Sequence, residues 1–131
     1  MAPLHTVMHV DDEPDIREIA KMSLEIVGGF EVIQCSGGAE AVRKAAEQAP
    51  DLILLDVMMP ELDGVETYRR LRELKNLANT KIVFMTAKVS RSDHERLRSL
   101  GADDVLVKPF DPMLLPTQVS DIWSGNSAVA E

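Results

Sequence analysis

The stretch "LILLDVMMPELDG" (52–64) decides the reading of this chain. Four apolar residues run directly into a lone carboxylate, Asp56, and a loop with Pro60 and Gly64 follows. A continuous apolar run bounded by turn residues reads as a strand buried on both faces. Charge is costly to bury unless something pairs with it. Either Asp56 caps the turn that follows, or it stands at a strand end where the fold gathers chemistry.

Working outward from this stretch, strand-like and helix-like segments alternate five times. "LHTVMHV" (4–10) reads as a first strand. Pro14 suits the first turn of a helix in which Ile16, Ile19, Ala20, Leu24 and Val27 recur at helical spacing, and Gly28-Gly29 ends it. "FEVIQC" (30–35) is a second strand; Ser36 is a candidate cap for a helix that Pro50 ends. The third strand is 51–56, and a helix carrying Val65, Tyr68, Leu71 and Leu74 follows Gly64. "KIVFMT" (81–86) is the fourth strand, and Ser90 or Ser92 caps a polar helix with Leu97 and Leu100 inward. "DVLVK" (104–108) is the fifth strand, and the last helix spans 113–123 with Pro116 in its first turns. Strict alternation with apolar strands predicts an α/β fold: one parallel five-stranded sheet, doubly wound, with helices on both faces. In such folds ligands bind beyond the carboxyl ends of the strands.

Composition narrows the function classes. The chain has 131 residues, one ordinary domain, and 45% are hydrophobic, enough for a core. Its expected division is a domain over 1–124 and a flexible tail over 125–131. No apolar run approaches the ~20 residues that span a membrane, and the start reads as a strand and not a signal peptide. Net charge is −8, from 22 acidic and 14 basic residues, which argues against direct contact with nucleic acid or anionic lipid. The single cysteine, Cys35, suits a reducing cytoplasm and reads as a buried small hydrophobe.

The predicted strand ends collect polar groups on one rim: Asp11 and Asp12, Asp56, Thr86 followed by Ala87, and Lys108 followed by Pro109-Phe110. Taken singly, each has an ordinary structural explanation as a cap, a strand residue or a surface lysine. Together they describe a site. Clustered carboxylates repel one another until a hard divalent cation joins them, and oxygen ligands suit Mg²⁺. In that setting Asp56 is a nucleophile toward phosphorus, with Thr86 and Lys108 facing the phosphoryl oxygens.

The pieces "VDDEP" (10–14), "LILLDVMMPELDG" (52–64), "FMTAK" (84–88) and "GADDVLVKPF" (101–110), in this order, closely resemble the CheY-like receiver domain of two-component response regulators. The resemblance covers about residues 4 to 123. It implies a flavodoxin-like (βα)5 sandwich of strand order 2-1-3-4-5, the order of the chemotaxis member of the family. It further implies that Asp56 accepts a phosphoryl group from a sensor histidine kinase, a phosphotransfer protein or acetyl phosphate. Mg²⁺, or Mn²⁺ in its place, is then held by Asp11, Asp12, Asp56 and the backbone carbonyl of Met58. Thr86, Ala87 and Lys108 form the phosphate-binding switch, and the bond before Pro109 is cis. The implied output is a partner-binding face on the fourth helix, fifth strand and fifth helix, in a monomer or a phosphorylation-dependent dimer. No room is left for an output domain in these residues, so a stand-alone cytoplasmic receiver is expected, or a piece of a longer regulator in which "SGNSAVAE" (124–131) begins a linker.

Two departures from the family pattern matter. Val105 stands where many members carry an aromatic residue that swings inward. Either the switch works differently here, through loop 87–91 and the helix after it, or valine merely fills the strand. Met58 and Lys88 stand two residues after Asp56 and Thr86; they either slow hydrolysis of the phosphoryl group or point to solvent. His9 is expected to pack against a helix, and His94 to lie on a solvated helix face. Arg91, Arg96 and Arg98 are expected on the same helix, as a solvated face or as part of the partner surface. Other classes fit less well. A phosphatase of the haloacid dehalogenase type wants an acid where Met58 stands, and a flavodoxin-like electron carrier wants a phosphate-cradling loop after the first strand. A receiver-like module that works without phosphorylation remains the alternative.

Overall fold

The computed structural model describes residues 3–125, and the expected tail lies outside them except for Gly125. Five strands form one parallel sheet: β1 (Thr6–Val10), β2 (Glu31–Cys35), β3 (Leu52–Asp56), β4 (Lys81–Thr86) and β5 (Asp104–Val107), in the order β2-β1-β3-β4-β5. The apolar run 52–55 and Asp56 form the central strand, β3, buried at all five positions between β1 and β4. A strand paired on both edges and covered on both faces has no solvent side, which is why its sequence does not alternate.

The helices divide between the two faces of the sheet. Helices α1 (Pro14–Met22) and α5 (Leu115–Trp123) pack Ala20, Leu115, Val119 and Ile122 over Val7, Leu52, Leu54, Val83 and Met85. Helices α2 (Gly38–Gln48), α3 (Gly64–Arg72) and α4 (Arg91–Ser99) cover the other face with Ala41, Ala45, Tyr68, Leu71 and Leu97. The alternate residues of each strand feed the two cores: Ile53 and Leu55 turn to one side, Leu52 and Leu54 to the other.

Several local expectations are corrected. Helix α1 continues into a π-helical turn, Ser23–Val27. A π turn adds one residue per turn, so helical spacing extrapolated from Ile16 drifts out of phase. Leu24 stays inside, but Val27 is 48% exposed. Ahead of the π turn, Ile19 is also 42% exposed, and the buried Ala20 takes the inward place. The cap of α2 is Gly37 and not Ser36. The Ser36 amide and hydroxyl instead both donate to the Glu40 carboxylate, at 2.7 and 2.9 Å. Ahead of Pro50, Ala49 takes a left-handed conformation (φ 46°) that ends α2. Of the two serines offered as the cap of α4, Ser90 serves, accepting from the Asp93 amide. Helix α5 begins at Leu115, two residues later than expected, because Asp111 ties the Met113 amide into a turn.

Candidate functional site

The site is assembled at the carboxyl ends of β1, β3, β4 and β5. Asp11 follows β1 and is fully buried. Its Oδ1 accepts the Glu13 amide at 2.9 Å, and its backbone carbonyl accepts Arg17 Nη1 at 2.6 Å. These two bonds fix the turn into α1 and hold the carboxylate over the sheet edge. Asp12 stands beside it, open to solvent, and Asp56 closes the group at 4% exposure. Carboxylate oxygens of Asp11, Asp12 and Asp56 lie within 4.8 Å of one another.

Lys108 reaches this cluster from the end of β5. Its Nζ is 3.0 Å from Asp11 Oδ2, 3.4 Å from Asp56 Oδ2 and 3.6 Å from Glu13 Oε1. The Lys108 amide donates to the Thr86 carbonyl at 2.8 Å, and the Lys108–Pro109 peptide is cis. Burial works against the ammonium, yet the Asp11 hydrogen bond and the charges of Asp11 and Asp56 hold its pKa above the usual lysine value. Asp56 moves the other way. Burial, reinforced by the Asp11 charge, pushes its carboxyl up to about 6 despite Lys108 and the Met58 amide, which donates to Oδ1 at 3.3 Å. The pocket is therefore short of positive charge. Three oxygen-donor carboxylates facing one ammonium fit a hard divalent cation of the Mg²⁺ kind.

Thr86 is buried at the end of β4, where its hydroxyl oxygen accepts the Lys88 amide at 3.1 Å. Ala87 follows it, exposed at the mouth. Met58 and Lys88 both line a cleft of about 590 Å³, together with Met59, Val65 and Leu97. Met58 lines this cleft and is also 69% exposed. Val105 is fully buried in the α2-α3-α4 core, paired with Phe84, so the strand is filled at that position and no aromatic gate exists there.

With this geometry in view, comparison with known proteins is decisive. Residues 7–120 match the family model of the response regulator receiver domain. The chain belongs to this family. The receiver is 41% identical over 116 residues to the alkaline phosphatase synthesis transcriptional regulatory protein PhoP of Bacillus subtilis, covering 88% of this chain and 47% of that one. It is 42% identical over 106 residues to the transcriptional regulatory protein SrrA of Staphylococcus aureus, covering 81% and 42%. Among solved structures it resembles the chemotaxis protein CheY4 of Vibrio cholerae, with a TM-score of 0.84, 31% identity, and 91% and 98% of the two chains covered. The receiver thus spans about half the length of the curated relatives and nearly all of the chemotaxis protein.

Some residues of the site escaped the sequence reading. Gly64 is one: a Cβ there would stand 2.3 Å from the Asp56 carbonyl oxygen and 2.7 Å from Val57 Cα, so α3 begins against the backbone of Asp56. The Asp-Gly pair closing the opening stretch carried that signal, with Asp63 as the cap of α3. His9 is fully buried on β1, close to Asp11. Its ring has no hydrogen-bond partner, Nε2 is 3.8 Å from Asp11 Oδ2, and burial pushes its pKa down to about 4. His94 contradicts the solvated-face expectation: it is buried, and Nε2 meets the Lys88 carbonyl at 2.8 Å. Arg98 is half-buried and pairs with the buried Asp104 at 3.0 Å, whereas Arg96 stays outside near Asp93 and Arg91 is exposed. Burial pushes the Cys35 thiol up to about 12, which leaves it inert. Among the described residues, no helix is long and apolar enough to cross a membrane.

Proposed function

We propose that this receiver takes a phosphoryl group onto Asp56 and uses it to switch a protein-binding surface. The observation that carries the reading is the Lys108 bridge, with one ammonium within 3.4 Å of both Asp11 and Asp56 in a group of three carboxylates. An Asp56 oxygen attacks phosphorus in line, and the bond to the leaving group, an imidazole nitrogen or an acetate oxygen, breaks. Asp11, Asp12, Asp56 and the Met58 carbonyl are the residues that would hold Mg²⁺, or Mn²⁺, which when bound supplies positive charge to the phosphoryl oxygens. Lys108 moves its ammonium from the carboxylates toward those oxygens. Thr86 donates its hydroxyl hydrogen to another, and the Ala87 amide takes a third. The donor is a sensor histidine kinase, a phosphotransfer protein or acetyl phosphate, and the work is cytoplasmic.

The output face is α4, β5 and α5, engaged by a protein partner or by a second phosphorylated copy. The relatives' names record transcriptional regulation. With a net charge of −8, this domain leaves any contact with DNA to other segments. The test is intact mass after incubation with acetyl phosphate, with and without Mg²⁺, on the wild type and Asp56→Asn. The expected result is a gain of one phosphoryl group that needs both Mg²⁺ and Asp56. Uptake at another residue refutes the assignment, and no uptake from acetyl phosphate or from a histidine kinase favours the module that works without phosphorylation.

A further inference from the structure

We propose that His94 is the positioning residue that couples α4 to the phosphorylation site through the backbone of Lys88, in place of a swinging aromatic side chain. The proposal rests on the phosphoacceptor reading for its purpose, but not for its geometry. Helix α4 is polar, and only His94 and Leu97 of its residues are buried. The loop before it, Ala87 to Ser90, is exposed throughout and belongs to no regular element. Two hydrogen bonds tie its middle. The Lys88 N–H donates to Thr86 Oγ1 at 3.1 Å, and the Lys88 carbonyl meets His94 Nε2 at 2.8 Å. A carbonyl only accepts, so Nε2 carries the hydrogen. One residue's backbone thus joins the threonine of the phosphate pocket to the imidazole of the helix.

This arrangement transmits motion through the position of Thr86 Oγ1, which now accepts the Lys88 N–H. To donate its own hydrogen to a phosphoryl oxygen on Asp56, Oγ1 has to move toward that oxygen, and the displacement draws it away from the Lys88 amide. The peptide unit is then free to tilt, and its carbonyl leaves His94. Helix α4 loses one of its two buried anchors, at the amino end. Leu97 and the Arg98–Asp104 pair remain at the other end and act as a pivot. With Val105 fixed in the core, no side chain of β5 has to rotate.

The first test needs no phosphoryl group. Amide hydrogen exchange is followed at residues 93–95 in the wild type, Thr86→Val, His94→Leu and the double variant. Thr86→Val is expected to speed exchange there about threefold to tenfold, the usual worth of one hydrogen bond. In the His94→Leu background the same change adds nothing, and His94→Gln, whose amide can donate to the carbonyl, restores part of the coupling. A Thr86→Val effect of equal size with and without His94 overturns the proposal. Should the position 94 variants fail to fold, the imidazole nitrogen resonances of the wild type and Thr86→Val report the Nε2–H bond directly, and an unchanged bond in Thr86→Val overturns the proposal equally. The second test adds acetyl phosphate with Mg²⁺ and reads occupancy by mass. At equal occupancy, exchange at 93–95 rises in the wild type and not in His94→Leu; a wild-type rise in that variant overturns the relay. Failure of Asp56 to take up a phosphoryl group refutes the phosphoacceptor reading alone and leaves the first test standing.

Discussion

Asp56 is where this molecule sets function against stability, and Asp56→Asn measures the conflict. The carboxyl is 4% exposed, with a pKa pushed from an ordinary 3.8 up to about 6 by burial and then by Asp11. The folded state therefore keeps this proton to a higher pH than the unfolded chain does. As pH rises through 3.8, the unfolded chain ionises first and gains; above about 6 both states are ionised and the penalty to folding is complete. Asparagine keeps the shape and does not titrate. A displacement of about two units at ~1.36 kcal/mol each makes Asp56→Asn more stable than the wild type by about 3 kcal/mol at pH 7.5. The same arithmetic leaves about 1.5 kcal/mol at pH 5 and about 0.5 kcal/mol at pH 4. In a domain of this size the gain at pH 7.5 is about 10 °C in melting temperature. Urea unfolding followed by far-ultraviolet circular dichroism, from pH 4 to 8 with EDTA present, reads the whole curve. Mg²⁺ added after EDTA is removed should stabilise the wild type and leave Asp56→Asn much less affected, since ligand binding to the folded state raises its stability. An asparagine variant no more stable at pH 7.5, or one whose advantage fails to shrink toward pH 4, refutes the claim that this carboxylate is held ionised against its surroundings.

Two further substitutions probe the walls of the pocket. Gly64→Ala puts a methyl group against the Asp56 and Val57 backbone, so either α3 withdraws or the end of β3 shifts; the expected cost is about 1–3 kcal/mol, with slower phosphoryl uptake by intact mass. Unchanged stability and uptake would show that the close approach is not needed. Met58→Asn replaces a thioether at the mouth with a side chain that can order water, and the phosphoryl group is expected to decay faster than in the wild type; equal decay would leave Met58 as a solvent-facing residue.

The fold was legible because its strongest signal is also its physical cause. A strand buried on both faces must be apolar throughout, and 52–55 is; a parallel sheet needs crossovers, and the helical spacing between strands supplies them. The groups that meet at the rim were legible for a similar reason, since strand ends are fixed by the sheet once the strands are placed. What could not be read depends on phase or on three-dimensional approach. The π turn after Met22 shifts the phase of α1, so Val27 matches the helical pattern and yet faces water. His94 lies on a helix whose neighbours in sequence are charged, and its partner is a backbone carbonyl, which leaves no trace in residue types. Arg98 resembles its exposed neighbour Arg96 in sequence; only the position of Asp104 at the start of β5 separates them.

The contacts that hold the pocket closed are the ones a phosphoryl group would take over. Lys108 is occupied by Asp11 and Asp56, and Thr86 is occupied by the Lys88 amide. A phosphoryl group on Asp56 would ask for the same ammonium, and it would draw Thr86 Oγ1 toward itself to receive the hydroxyl hydrogen. On the proposed function Lys108 would then let go of Asp11, and the Asp11 carboxylate beside Asp12 would be left to a divalent cation. Thr86 would move off the amide of Lys88, whose carbonyl is tied to α4. On this proposal the cation requirement and the signal at α4 would share one origin: a site with fewer donors than its occupied state demands has to draw them from its own structure. Replacing Lys108 or Thr86 should accordingly separate the two effects, the first weakening retention of the phosphoryl group and the second leaving it bound but silent at α4.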